Sequence, residues 1–233
     1  MDDVDCMTNI LQNITTLKQQ ILDLEIRYHR PPDSVSLLAV SKGQPAEHIR
    51  IAVHAGQTTF GENYLQEALA KITALKNLEL EWHYLGATQS NKTRHLAEHF
   101  AWVHTVCDLK TAERLNQQRP EHLPPLNICL QVNISADKNK AGADENAILP
   151  LAVACAKLPR LNLRGLMTVP AEKNIFAEQR AELHKMAGLF QKLLENQVKI
   201  DTLSMGMSAD LEAAIAEGST MIRIGTKIFG SRI

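Results

Sequence analysis

The sequence predicts an α/β fold, a single (β/α)8 TIM-type barrel with an extra N-terminal helix, on three observations. Eight short apolar runs alternate with helical stretches along 233 residues, the order of repeated βα units. An amphipathic stretch over roughly residues 7–29 precedes the first run and suits the outer-ring place left open after the last strand. Polar and glycine-rich motifs gather where the runs end, as they should if βα loops build one working face. With 45% hydrophobic residues the chain can bury a large core, and no linker, low-complexity tract or tandem repeat divides it, so residues 1–233 are expected to form one domain.

Taken in order, the predicted strands are 35–41, 58–60, 81–86, 102–106, 126–133, 161–167, 201–205 and 221–225. The first, "VSLLAVS", is apolar in both directions, and Pro45 marks the turn into the helix that follows. Lys42 therefore stands at the hand-over from strand to loop, on the same face as Leu38 and Val40 by alternation. Taken alone, it reads as a lysine that snorkels to water from a strand end. The second strand runs into "GENY" (61–64), the third into "GATQSNK" (86–92), the seventh into "SMGMS" (204–208) and the eighth into "RIGT" (223–226).

The last two loops carry the ligand signal. "SMGMSADLEAAIAEG" (204–218) reads as strand, glycine turn and helix, with Ser208 at the N-cap and unpaired amides behind it. Gly225 and Thr226 add a close backbone approach and a hydroxyl, and loops seven and eight are a recurrent phosphate site in this architecture. Ser208 is equally well explained as a plain cap. Arg223 shares a strand face with Gly225, opposite Ile222 and Ile224, so its guanidinium faces the barrel interior. Either an internal carboxylate, with Glu62 the candidate, or a ligand atom accepts its hydrogen bonds. A desolvated Lys42 amine near this positive site is suited to attack an aldehyde and form an imine. A phosphate, an aldehyde and a ring acceptor together describe pyridoxal 5'-phosphate (PLP).

The motifs "AVSK", "FGENYLQE" (60–67), "WHYLGATQSNKTR" (82–94), "QVNIS" (131–135), "RGLMTVPA" (164–171) and "LSMGMSADLEAAIAEGSTMIRIGTKIFGSR" (203–232) cover nearly the whole chain. They resemble the pyridoxal phosphate homeostasis proteins, single barrels related to the N-terminal domain of alanine racemases. The resemblance implies a protein that holds PLP as a lysine Schiff base on Lys42 and acts in intracellular PLP homeostasis by buffering and delivery, without established turnover. It also implies that Asn63 lies beside the cofactor, that Met207, Ser208, Gly225 and Thr226 line ring and phosphate, and that Arg223 faces the pyridine nitrogen. Apo PLP-dependent enzymes are the implied recipients, and Lys140 in "NKAG" matches a family lysine read as an auxiliary loading site or a solvated loop lysine. Ala87 and Thr88 depart from the family's "GPLQ", Gln44 stands where many relatives have a second lysine, and no basic tail follows.

Other functions find less support. A formal net charge of -1 gives no general attraction to nucleic acid or anionic membrane. The acidic start "MDDVDCMTNI" lacks the pattern of a signal peptide, and no stretch has the length of a membrane span, so a cytoplasmic protein is expected, monomeric unless it pairs as a dimer. Cys6, Cys107, Cys129 and Cys155 are dispersed, without zinc or redox spacing. "HLAEH" (95–99) fits the H-x-x-E-H pattern but ends a helix at the face away from the working loops, so no metal is expected there. Trp82 and Trp102 read as core and rim. The alternative function is a PLP-dependent amino-acid racemase, which needs acid/base groups on both sides of the substrate carbon; Tyr64 is the tyrosine placed to approach the site. A sugar-phosphate barrel enzyme leaves Lys42 and Arg223 without paired roles.

Overall fold

A strand covered on both faces needs apolar side chains in both directions, and the eight apolar runs occupy such strands in the computed structural model. The structure describes residues 3–135, 137 and 140–231, with side chains from residue 9 onward. Strands β1 (Ser36–Val40), β2 (Thr59–Glu62), β3 (Glu81–Tyr84), β4 (Trp102–Val106), β5 (Leu126–Gln131), β6 (Leu161–Met167), β7 (Thr202–Ser204) and β8 (Met221–Ile224) pair in parallel and in chain order. β8 returns to β1, with Leu38 opposite Arg223 and Ala39 opposite Ile224, and the barrel closes. The predicted fold class is the observed one.

Helices α2 (Ala46–His54), α3 (Leu65–Ala74), α4 (Thr93–His99), α5 (Leu109–Gln118), α6 (Glu145–Cys155), α7 (Phe176–Glu195) and α8 (Leu211–Ala216) follow β1 to β7 as the outer layer. Only a single turn, α9 (Thr226–Phe229), follows β8. The gap is filled by α1 (Asp3–Arg27), which packs against α2, α8 and α9. Its apolar stripe of Ile10, Ile14, Leu17, Ile21 and Leu24, at three- and four-residue spacing, lies buried in the main core. Asn13 ties it to the Ile228 carbonyl at 3.0 Å, and Arg27 to Glu212 at 2.8 Å. The N-terminal helix therefore completes the ring, as its amphipathic pattern predicts.

Inside the barrel the packing is partly polar. Trp102, Cys129 and Met167 form a small apolar cluster apart from the main core. His83 and His104 are fully buried beside it, joined Nδ1 to Nε2 at 2.9 Å, and His83 Nε2 reaches Glu81 Oε1 at 2.9 Å. Glu81 accepts, so His83 carries its proton on Nε2 and accepts from His104 at Nδ1, which leaves the lone pair of the neutral His104 on its own Nδ1. Burial holds both imidazoles below their ordinary range, His104 well below. At the N-terminal mouth, Arg164 lies 4.6 Å over the Trp102 ring and pairs with Asp201 at 2.8 Å.

Several boundaries differ from the sequence reading. The predicted strand 126–133 ends at Gln131, and Val132 forms only an isolated bridge to Ala143. The strand predicted over 81–86 stops at Tyr84, which frees Leu85 and Gly86 for the loop, while β2 extends through Gly61 and Glu62. Ser208 is not an N-cap: α8 begins at Leu211, and Asp210 precedes it. The reason is local, since Asp210 Oδ1 accepts from the Met207 amide at 2.6 Å and draws residues 207–210 into a turn of their own.

Candidate functional site

The loops at the C-terminal ends of the strands enclose a cavity of about 410 Å³, within the range of small-ligand sites. Its wall contains Lys42, Asn63, Met207, Ser208, Arg223, Gly225 and Thr226, every candidate site residue named from the sequence. Val40, Leu85, Met167 and Val169 supply apolar surface that sequence reasoning did not single out. These four carry no chemical signature; they read as strand or loop residues until the barrel closes around them.

Alternation along β1 carries through to Lys42. Leu38 is inside the barrel, Val40 reaches the cavity, and Lys42 lines it from the turn two residues beyond the strand. Arg223 enters from the opposite wall, 5% exposed, donating from Nη1 to Ser204 Oγ at 2.8 Å and from Nη2 to the Thr168 carbonyl at 2.7 Å. Glu62 is not its partner, although the sequence left that pairing open: Glu62 Oε1 is held by Lys71 Nζ and Ser41 Oγ, each at 2.6 Å. Burial lowers the Arg223 guanidinium to about 10, with Asp210 opposing the shift, so it stays a cation at neutral pH. Among the described residues no carboxylate lies within ion-pair distance of it.

Three features show that the wall can receive a polar ligand. Asn63 Oδ1 is buried without a hydrogen-bond partner, an arrangement that a ligand donor would complete. Gly225 has an ordinary φ of −116, so its glycine serves space, not backbone freedom: an added Cβ would stand 2.9 Å from the Val40 carbonyl oxygen. Ser208 and Thr226 offer hydroxyls on adjoining loops, and the first amides of any helical turn, here α9, lack intrahelical acceptors. Gly86 helps place Asn63, since a Cβ there would meet the Asn63 carbonyl oxygen at 2.0 Å.

The departures from the family motif have visible consequences. Thr88 Oγ1 lies 2.7 Å from Thr105 Oγ1, and Thr105 donates to the Gly86 carbonyl at 2.6 Å, so the third loop folds onto β4 and offers Leu85 to the cavity. Gln44 is buried in the wall and donates to the Ser231 carbonyl at 3.2 Å, which ties the β1–α2 turn to the last described residues. Lys140 lies outside the wall and donates to the Pro170 carbonyl at 2.7 Å. Tyr64 is 57% exposed and outside the wall too.

Ligand atoms of His95, Glu98 and His99 do come within 4.8 Å of one another, on α4 at the far end of the barrel. Cys107, Cys129 and Cys155 are free thiols, which burial pushes up to about 11, 12 and 12, far from a reactive thiolate. Cys6 lies outside the described side chains. Trp82 and Trp102 are both buried, and among the described residues no helix is long and apolar enough to cross a membrane.

Comparison with known proteins agrees with this geometry. The model of the alanine racemase N-terminal domain matches residues 12–233. A pyridoxal phosphate homeostasis protein of Pseudomonas aeruginosa is 51% identical over 226 residues, 97% of each chain, and one of Escherichia coli is 49% identical over 229 residues, 97% of this chain and 98% of that one. PipY of Synechococcus elongatus, solved with PLP bound, superposes with a TM-score of 0.84 at 40% identity, covering 95% of this chain and 100% of that one. An alanine racemase of Clostridium difficile superposes at 0.75 with 16% identity, over 95% of this chain and 56% of that one, a likeness of fold alone. On relatives about half identical over nearly their full length, the chain belongs to the family of pyridoxal phosphate homeostasis proteins.

Proposed function

We propose that residues 1–233 form one PLP-binding domain that holds the cofactor as a Schiff base on Lys42 and serves intracellular PLP homeostasis by buffering it and delivering it to apo PLP-dependent enzymes. Ser208, Gly225 and Thr226 take the phosphate, Arg223 donates toward the ring nitrogen, and Asn63 and Met207 lie beside the ring. When bound, the cofactor supplies an aldehyde for amines and a ring that accepts electrons. The observation that carries this reading is the convergence in one cavity of an amine, a buried guanidinium without a carboxylate, and paired hydroxyl loops. Arg223 stays protonated, so it meets the ring nitrogen as a donor and leaves that nitrogen without a proton of its own, a weaker electron sink for carbanion chemistry.

The racemase reading needs a second proton carrier across the ligand from Lys42. Among the described residues of the wall, Lys42 and Arg223 are the only ones with titratable side chains, which favours holding over turnover. The test is the absorbance spectrum of the purified protein before and after borohydride reduction, followed by mapping of the modified peptide. Wild type is expected to carry the label on Lys42, and Lys42→Ala to lose the reducible band while keeping some affinity for the phosphate. Full-stoichiometry labelling in Lys42→Ala would move the anchor elsewhere, with Lys140 examined first.

A further inference from the structure

The turn that carries Lys42 is gripped on both sides by charged side chains. Lys71 Nζ, on α3, donates to the Ser41 carbonyl at 2.7 Å, to Glu62 Oε1 at 2.6 Å and to Glu67 Oε1 at 2.5 Å. Glu67 Oε1 also accepts from the Gly43 amide at 2.6 Å, and Glu62 Oε1 from the Ser41 hydroxyl at 2.6 Å. The backbone is therefore held at the residue before Lys42 and at the residue after it. Lys71, Glu62 and Ser41 are all buried. An apolar pair would fasten α3 to the barrel at least as well as a buried ion pair, so packing alone does not account for the arrangement. What these charges do, and an apolar pair cannot, is bind a carbonyl and an amide that point in different directions from one tight turn, where Gly43 sits at φ +70.

We propose that Glu67 and Lys71 are positioning residues for Lys42, fixing the Ser41 carbonyl and the Gly43 amide so that the amine is presented to the cavity. The inference rests on the reading of Lys42 as the cofactor's amine. Schiff-base formation joins the amine nitrogen to the aldehyde carbon while the aldehyde oxygen departs as water with two protons from the amine, and no oxidant or reductant takes part. The lysine side chain has four rotatable bonds, so a fixed root confines its tip, and near-attack placement is worth orders of magnitude in rate. Neither Glu67 nor Lys71 lines the cavity; both act through the turn.

The test compares Glu67→Ala with Glu67→Gln, whose amide oxygen can still accept from Gly43, in the full chain. Three quantities are read: hydrogen exchange at the Gly43 amide, the rate of borohydride-trapped labelling at Lys42 by PLP, and affinity for pyridoxine 5'-phosphate, which has the phosphate and no aldehyde. Glu67→Ala should speed Gly43 exchange and slow trapping, each by about tenfold or more, while pyridoxine 5'-phosphate affinity stays within about twofold. Glu67→Gln should recover most of the trapping rate. Unchanged trapping in Glu67→Ala overturns the positioning role and leaves Lys42 as the anchor; a wild type that is never trapped at Lys42 overturns both. Parallel loss of trapping and of pyridoxine 5'-phosphate affinity also overturns it, because the whole cavity has then deformed. If Glu67→Ala does not fold, Glu67→Gln against wild type decides: Gly43 exchange that rises with no fall in trapping is a refutation.

Discussion

Lys71, beneath the β1–α2 turn, meets two carboxylates within 2.6 Å, whereas the guanidinium of Arg223, in the β8 wall of the cavity, donates among the described residues to the neutral Ser204 hydroxyl and Thr168 carbonyl. Both side chains are buried and both lie close to the ligand wall. On the Lys71 side the countercharge is built into the fold. On the Arg223 side it is not, so a desolvated cation faces the cavity and an electron-rich ligand atom or an anion lowers its free energy. One cation holds the fold around Lys42; the other leaves an unmet electrostatic demand at the site.

The largest expected effect tests that contrast in the empty protein. Lys71→Met strands Glu62 and should cost about 3–5 kcal/mol in urea unfolding, with most of it recovered in Lys71→Met/Glu62→Gln. Arg223→Met strands no charge; it leaves two neutral groups unpaired, about 1–3 kcal/mol, offset by relief of the guanidinium's own burial. Equal losses in the two single variants would break the comparison.

Next in size is the ligand side. Ser208→Ala/Thr226→Ala should weaken PLP binding by about 1.5–3 kcal/mol for each charge-assisted hydrogen bond lost, with backbone amides retaining part of the site. Unphosphorylated pyridoxal should hardly respond, and titration with both ligands gives the answer. If the two ligands weaken alike, the phosphate lies elsewhere in the cavity.

The smallest effect is in acid. Burial keeps His83 and His104 below the ordinary 6.5, and for His104 the charge of Arg223, and that of His83 once it is protonated, add to the shift. As pH falls through 6.5 the unfolded chain binds protons that the fold refuses, so these two residues contribute stability above 6.5 that is lost progressively on acidification. Stability measured between pH 7 and about pH 5 should fall less steeply in Arg223→Met than in wild type, because one repelling charge is gone. The same scan on Lys71→Met/Glu62→Gln should keep the wild-type slope over the upper part of that range.

Much of the fold was legible because β/α alternation and turn chemistry are written locally. Eight apolar runs predicted eight strands, and the stripe from Ile10 to Leu24 predicted the helix that completes the ring. Lys42 and Arg223 were found by period-two alternation on β1 and β8, while Asn63 and Met207 came only through the family resemblance. Ser208 lines the cavity from the loop the sequence named but not as an N-cap, since the turn closed by Asp210 delays α8 by two residues. Lys71 was missed because Glu67 and Lys71 are spaced i,i+4, the usual pattern of an exposed helix pair.

By itself, then, the sequence determined the order of elements, the strand ends that carry chemistry and the faces on which Lys42 and Arg223 stand, all properties of neighbours along the chain. Only the tertiary structure decided that Glu62 serves Lys71 and not Arg223, that the Glu67–Lys71 pair turns inward to hold the Lys42 turn, and that His83 meets His104 across β3 and β4. Such partners lie on different strands and helices. They are set by strand register and barrel closure, where a slip of one residue would send the strand-borne side chains Glu62, His83, His104 and Arg223 to the opposite face.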